Sequence, residues 1–121
     1  MIERRMIVPP NLQFFISDPD AVDVPVQGES IRIISSGECI SVPCRYRDEG
    51  ETELIVGDNE AILPEAPQFD GTIPTPSGSV LFSDVEMTEL LSFPAPAGTT
   101  RVRIWTDGST FPDRIVVAIG G

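Results

Sequence analysis

The sequence predicts an all-β protein, an antiparallel β-sandwich of about seven to eight short strands with little or no helix. Twelve prolines and ten glycines divide the 121 residues into short pieces, which leaves hardly any window for a helix of about ten residues. The pieces between them are rich in Val, Ile, Phe and Thr, which favour strands. A chain of this length fits one domain, so we assign residues 1–121 to a single β-sandwich domain.

The first predicted strand covers residues 12–17, where Leu12, Phe14 and Ile16 share one face because side chains alternate along a strand. A short apolar strand follows at residues 31–35. Turn residues end both segments.

A hairpin is predicted from residues 38–47 and residues 52–57, joined by an acidic turn at residues 48–51. Pro43 indicates that the first of these strands lies at a sheet edge or carries a bulge. Its core side is predicted to hold Ile40, Val42, Cys44 and Tyr46.

Residues 58–78 are rich in proline, glycine and acidic residues, and we predict an acidic loop region with at most short strand pieces around 61–63 and 71–73. Further strands are predicted at residues 79–84, 88–93, 100–106 and 114–119. The last is apolar on both faces, which is typical of a central strand in one of two packed sheets.

The charged residues exclude several function classes. All eight basic residues are arginine, and the chain contains neither lysine nor histidine, against 19 acidic residues and a net charge of -11. A histidine base, a Schiff-base lysine and a histidine metal site are therefore excluded, and we predict no enzyme activity, no cofactor and no metal. Nucleic-acid binding is disfavoured too, because it depends on Lys and Arg contacts to phosphates.

The surplus negative charge belongs to the middle of the chain, since no basic residue occurs between Arg47 and Arg101. One interpretation is solubility. The other is a surface that attracts a basic protein partner. In that second interpretation the candidate partner-binding acids are Asp48, Glu49, Glu51, Glu53, Asp58 and Glu60.

A second candidate binding feature is Arg101, Arg103 and Trp105, which share one face of a predicted strand opposite Val102 and Ile104. Trp and Arg are enriched in interface hot spots. The alternative is internal, with the tryptophan covering the sheet and the arginines pairing with central acids of the same domain.

Three further acids, Asp18, Asp20 and Asp23, suggest a divalent-metal hydrolase as a third hypothesis. They lack the glycine and terminal glutamate of an EF-hand loop, which favours a solvated turn. Cys39 and Cys44 are predicted to be free thiols, because five extended residues separate them by about 16 Å.

The segment at residues 1–10 has a three-residue apolar run before two prolines, whereas a secretory signal needs an apolar core of about 7 to 15 residues. No apolar stretch approaches the roughly 18 residues of a membrane span. We therefore expect a cytoplasmic protein without membrane contact.

Residues 91–106 read Leu-Ser-Phe-Pro-Ala-Pro-Ala-Gly-Thr-Thr-Arg-Val-Arg-Ile-Trp-Thr, an apolar strand, a proline and glycine turn, and a strand ending in tryptophan. This pattern resembles the corresponding part of the competence protein ComJ family. A second similarity runs from Gly37 through residues 39–42 to residues 54–56, after a strand like residues 12–17 and an acidic turn.

Members of that family are small acidic intracellular β-sandwich proteins that bind and inhibit a partner nuclease, and related folds occur among bacterial toxin-immunity proteins. The resemblance implies inhibition by binding rather than catalysis. The proline-rich stretch at residues 63–76 has no counterpart in the family pattern.

The leading hypothesis is therefore a protein-binding module whose acidic middle docks on a basic nuclease or toxin by charge complementarity. The alternative is an assembly module without inhibitory activity, in which a sheet edge or the face of Arg101, Arg103 and Trp105 forms a homodimer.

Overall fold

The computed structural model describes residues 1–25, 31–45 and 47–120, without the side chain of Arg47. In that part of the chain ten strands form two five-stranded sheets, and the helical elements are 3₁₀ turns of three residues each. The strands are β1 (Ile2–Ile7), β2 (Gln13–Ser17), β3 (Ile34–Ser35), β4 (Cys39–Pro43), β5 (Thr52–Gly57), β6 (Phe69–Thr75), β7 (Ser79–Asp84), β8 (Glu89–Pro94), β9 (Gly98–Trp105) and β10 (Arg114–Ile119). The all-β prediction is confirmed.

The two sheets differ in how their strands are ordered. Sheet A has the order β1-β5-β10-β9-β6, and sheet B has the order β3-β4-β2-β7-β8. Neighbouring strands are antiparallel except β5 and β10, which run parallel with Leu54 opposite Ile115. A parallel pair cannot be joined by a tight turn, so the chain must leave sheet A between these two strands.

One apolar core lies between the sheets. Each strand turns alternate side chains inward, and most of the side chains from the central strands are excluded from solvent. The inward residues include Phe14, Ile16, Ile40, Val42, Cys44, Leu54, Val56, Val80, Phe82, Val102, Ile104, Ile115 and Val117. This arrangement of two facing apolar surfaces confirms the predicted sandwich.

Strand β10 occupies the middle of sheet A, as its two apolar faces predicted. Ile115 and Val117 face the main core, while Val116 and Ala118 pack on the other side of the sheet against Trp105. A small second core therefore lies on the outer face of sheet A.

The predicted hairpin of residues 38–47 and 52–57 is wrong, because β4 belongs to sheet B and β5 to sheet A. After Pro43, which has no N–H to extend a ladder, the Cys44 N–H donates to the Leu12 carbonyl at 2.9 Å. The Arg45 N–H then donates to the hydroxyl of Thr52 at 3.2 Å. These two bonds hold the segment through which the chain passes from sheet B to sheet A. In sheet A, β5 pairs with the apolar strand β10.

Residues 58–78 are not loop throughout, because residues 69–75 form β6 at one edge of sheet A. Strand β1, which was not predicted, forms the other edge. An edge strand tolerates proline and exposed charge, since one side of its backbone faces solvent, and Pro74 of β6 and Arg4 of β1 illustrate both. The predicted strand at residues 31–35 shortens to β3.

The connection from β5 to β6 crosses the outer face of sheet A. It begins with the 3₁₀ turn Asn59–Ala61, where Asp58 caps the Glu60 N–H, and Ala61 is buried against Trp105, Val116 and Ala118. Residues 58–68 therefore cover the second core.

Candidate partner-binding surface

The predicted partner-binding acids do not form one patch, because β5 separates them. Asp48, Glu49 and Glu51 precede this strand, and Asp58 and Glu60 follow it. Six strand residues at about 3.3 Å each place the two groups about 20 Å apart. The acidic segment of the sequence is thus divided between the two ends of the sandwich.

Glu53 lies within β5 on the outer face of sheet A, between two arginines. One of its carboxylate oxygens pairs with Arg4 of β1, and the other lies 3.1 Å from Nε of Arg114 in β10. The Glu53 side chain is 19% exposed. Its charge is used to join three neighbouring strands.

Asp58 and Glu60 are paired as well. The amino group of Met1 lies 3.2 Å from Asp58 and 3.3 Å from Glu60. The hydrogen bond from this ammonium lowers the pKa of Asp58 and correspondingly raises the pKa of the amino group. The acids at this end of β5 are therefore paired with the Met1 ammonium.

Asp48, Glu49 and Glu51 are exposed, and within the described residues no ion pair holds their carboxylates. Asp48 and Glu49 lie in the 3₁₀ turn Arg47–Glu49. Among the described side chains, the Arg45 guanidinium comes close to this loop and packs against Gly50, 3.3 Å from the position a Cβ would take there. Three carboxylates consequently remain directed to solvent.

Two acids from the end of the chain join them, and the sequence reasoning missed both. The Glu53 N–H donates to the Asp113 carbonyl at 2.8 Å, so the exposed Asp113 lies beside the start of β5. Asp107 lies in the connection that joins β9 to β10, where hydrogen bonds from Ser109 lower its pKa. We call the set Asp48, Glu49, Glu51, Asp107 and Asp113 the acidic end.

A cavity of about 290 Å³ opens at the acidic end. Ile33 and Pro43 contribute apolar walls, and Gln68, Thr106 and Pro112 complete the side toward sheet A. Of the described residues that line it, Arg32 carries a charge. The acidic end therefore combines exposed carboxylates with a concave, mostly uncharged depression.

The residues Arg101, Arg103 and Trp105 share the outer face of sheet A, as predicted, while Val102 and Ile104 are fully buried on the inner face. Arg101 donates two hydrogen bonds to Asp70 of β6, at 2.9 and 2.7 Å, which lowers the pKa of that carboxyl. The guanidinium of Arg103 donates to the Gly120 carbonyl at 3.1 Å.

Trp105 is only 4% exposed, because residues 58–68 cover it, and its indole N–H donates to the Glu65 carbonyl at 2.8 Å. The structure thus contains the internal arrangement that was the alternative for this triplet, a tryptophan covering the sheet and an arginine paired with a central acid. A role of the triplet in partner binding stays a prediction.

Asp18 directly follows the last residue of β2 and stabilises the local turn and the turn between β6 and β7. Its buried carboxylate accepts hydrogen bonds from the N–H of Asp20, the N–H of Ser77 and the Ser77 hydroxyl, each at 3.0 Å. Burial raises its pKa, but these bonds outweigh that effect and lower it below the usual value. Among the described residues no cluster of three or more His, Cys, Asp or Glu could hold a metal ion.

Cys39 and Cys44 are both buried free thiols, as predicted. Burial raises the pKa of Cys39 to about 11 and that of Cys44 to about 12, so neither forms a thiolate near neutral pH. In the described part of the chain no helix is long and apolar enough to cross a membrane.

Comparison with known proteins finds likeness of fold without likeness of sequence. No family model matches the chain, and no curated protein matches it in sequence. Two solved structures match almost end to end. The crystal structure of ComJ, inhibitor of the DNA degrading activity of NucA, from Bacillus subtilis, matches with a TM-score of 0.72 and 11% identity, covering 100% of this chain and 98% of that one. The crocagin biosynthetic gene J product matches with a TM-score of 0.58 and 13% identity, covering 99% and 97%. The predicted ComJ-like fold is confirmed.

Proposed function

We propose that this chain is a non-catalytic inhibitor that binds a basic nuclease and blocks its access to DNA. The observation that carries the proposal is the end-to-end fold match with ComJ, which inhibits a DNA-degrading nuclease. The net charge of -11 supports it, because a nuclease that binds phosphates must present a positive surface that an acidic protein can occupy.

The acidic end is the docking surface in this proposal. Asp48, Glu49 and Glu51 imitate the phosphates that the partner normally meets, and Asp113 and Asp107 extend the same negative region. The neighbouring cavity would accept a side chain of the partner, as central pockets of interfaces do.

The remaining predicted residues have a supporting part. Glu53 is paired with Arg4 and Arg114, and Asp58 and Glu60 are paired with the Met1 ammonium. Because their charges are partly neutralised within the chain, these acids attract a basic partner less strongly. Arg101, Arg103 and Trp105 hold the outer face of sheet A together. We propose a cytoplasmic location, which suits two cysteines that remain unpaired.

The test is inhibition of plasmid degradation by the basic nucleases encoded in the same genome, with NucA assayed beside them. We expect inhibition at equimolar concentration by the unmodified chain. The triple variant Asp48→Asn, Glu49→Gln, Glu51→Gln should inhibit at least about tenfold more weakly, because three charges facing the partner are lost.

The matched control is Asp58→Asn with Glu60→Gln, which also removes exposed negative charge but from the opposite end of β5. This variant should inhibit like the unmodified chain. If no basic nuclease of that genome is inhibited, or if the triple variant inhibits as well as the control, the proposal is wrong.

A further inference from the structure

Strand β1 is an open edge of sheet A. It pairs with β5 on one side, and within the described residues no strand lies on its other side. It is six residues long, contains no proline and lies at the end of the sheet order. An edge of this kind carries a row of N–H and C=O groups able to pair with another strand.

The side chains of β1 alternate between the outer face of sheet A and the inner face, where Ile7 at the end of the strand is buried. Ile2, Arg4 and Met6 lie on the outer face of sheet A, and Ile2 and Met6 are about half exposed, at 48% and 50%. Glu3 and Arg5 lie on the other face, and the Arg5 guanidinium lies 3.0 Å from the Glu3 carboxylate. An exposed edge with apolar residues is a site for strand addition.

We propose that β1 pairs antiparallel with β1 of a second copy of this chain, joining the two A sheets into one ten-stranded sheet. A two-fold axis perpendicular to the sheet requires that one residue of the strand faces its own copy. The choice of that central residue fixes every other pair.

The sequence of β1 is complementary to itself when Arg4 is the central residue. Ile2 then faces Met6 of the second copy, and Glu3 faces Arg5 of the second copy, each pair occurring twice. Both kinds of pair stabilise neighbouring strands. Centring on Glu3 would oppose two glutamates and face Ile2 with Arg4, and centring on Arg5 would oppose two arginines and face Arg4 with Met6. Neither of these registers keeps an apolar pair or a pair of opposite charges within the strand.

The Arg4 side chains meet at the two-fold axis in this register, but each is drawn toward its own sheet. The Arg4 guanidinium is paired with Glu53 of β5, away from the open edge, and Glu53 also pairs with Arg114. On the other face, the two Glu3 and two Arg5 side chains would form a quartet of alternating sign.

The first experiment is sedimentation equilibrium over a range of protein concentrations at low salt. We expect a reversible change from the 13.1 kDa of one chain toward about 26 kDa, twice that mass. Glu3→Arg and Arg5→Glu should each weaken dimerisation about tenfold, because each converts two attractive pairs into repulsive ones.

The double variant, Glu3→Arg with Arg5→Glu, should restore the dimer, and an equimolar mixture of the two single variants should form heterodimers. These rescues show that the single variants fold and that the pairs face each other. A chain that stays monomeric at every concentration, or a dimer that neither single reversal weakens, would overturn the proposal.

The register is read by cysteine substitution, which the buried, unreactive Cys39 and Cys44 permit. Facing residues of antiparallel strands have Cα atoms about 4.5 to 5.5 Å apart, within disulfide range. Under mild oxidation Arg4→Cys should form a covalent dimer. Glu3→Cys and Arg5→Cys should not, and cross-linking by either in preference to Arg4→Cys would contradict the proposed register.

Discussion

Acids from one sequence segment lie at both ends of β5, but they are paired with a cation at only one of those ends in the described part of the chain. At the acidic end, Asp48, Glu49 and Glu51 are exposed and without an ion pair in the described part of the chain. At the opposite end, Asp58 and Glu60 hold the Met1 ammonium. A run of like charges in a sequence therefore does not define a surface, because the fold decides which charges meet a cation.

The opposite end is also the end where acids stabilise the fold. The Asp18 carboxylate binds the turn between β6 and β7 through Ser77, and Asp58 caps the 3₁₀ turn that begins the cover over Trp105. Among the described residues of the acidic end, Asp107 accepts hydrogen bonds from Ser109, whereas no ion pair holds Asp48, Glu49 or Glu51. The three acids proposed to meet the partner, Asp48, Glu49 and Glu51, therefore differ from the acids that hold the fold together.

The largest expected effect is on stability, from removing the tryptophan that residues 58–68 cover. Trp105→Ala should lower the free energy of unfolding by about 3 to 5 kcal/mol, because a buried indole and its hydrogen bond to Glu65 are lost. Urea unfolding followed by circular dichroism measures this. Trp105→Phe, which keeps an apolar ring, should cost about 1 to 2 kcal/mol.

If Trp105 instead served chiefly as a partner contact, Trp105→Ala would leave the urea midpoint unchanged while weakening inhibition. That outcome would contradict the buried, structural position of the indole.

The next effect concerns Asp18 and depends on pH. Asp18→Ala should cost about 2 kcal/mol at neutral pH, because three hydrogen bonds to a buried carboxylate are lost and the Ser77 donors remain. The folded pKa of Asp18 lies below its unfolded value near 3.8, so this contribution is complete well above pH 3.8 and is lost as the pH falls through the folded pKa.

Urea unfolding of both chains between about pH 7 and pH 2.5 measures the difference. The difference in the free energy of unfolding between the unmodified chain and Asp18→Ala should become smaller as the pH falls. A difference that stays constant to the lowest pH would show that the carboxylate charge does not matter to that turn.

The smallest expected effect is from the opposite end of β5. Asp58→Asn with Glu60→Gln removes an exposed pairing with the Met1 ammonium, and such pairings contribute little. We expect an unchanged urea midpoint and unchanged inhibition of the nuclease. Loss of inhibition in this variant would mean that the two ends of β5 do not differ in the way proposed here.

Local patterns in the sequence predicted most of the strands. The alternation of side chains predicted that Val102 and Ile104 lie on the inner face of β9, and the two apolar faces of β10 predicted its central position. Both signals come from residues that are neighbours in the sequence. The pairing of β5 with β10 was not predictable in this way. It joins segments about half the chain apart, and residues 38–47 offered a nearer but incorrect partner.

The same limit applied to the candidate site. Exposed acids of residues 48–60 were identified from charge alone, but their separation by β5 and the arrival of Asp113 beside Glu53 depend on pairing between distant strands. The sequence predicted the face of β9 on which Trp105 lies, but not its burial. Its face was correct, whereas the cover over it comes from residues 58–68, which composition described only as loop.

The proposed role of the acidic end is tested most directly by the rate at which the chain associates with the basic nuclease proposed as its partner, measured as the ionic strength is raised. The unmodified chain should associate at least about tenfold more slowly in high salt than in low salt, because screening shortens the reach of the acidic end. The triple variant Asp48→Asn, Glu49→Gln, Glu51→Gln should start slower and depend less on salt. Equal rates and equal salt dependence for the two chains would contradict the claim that these three acids direct binding.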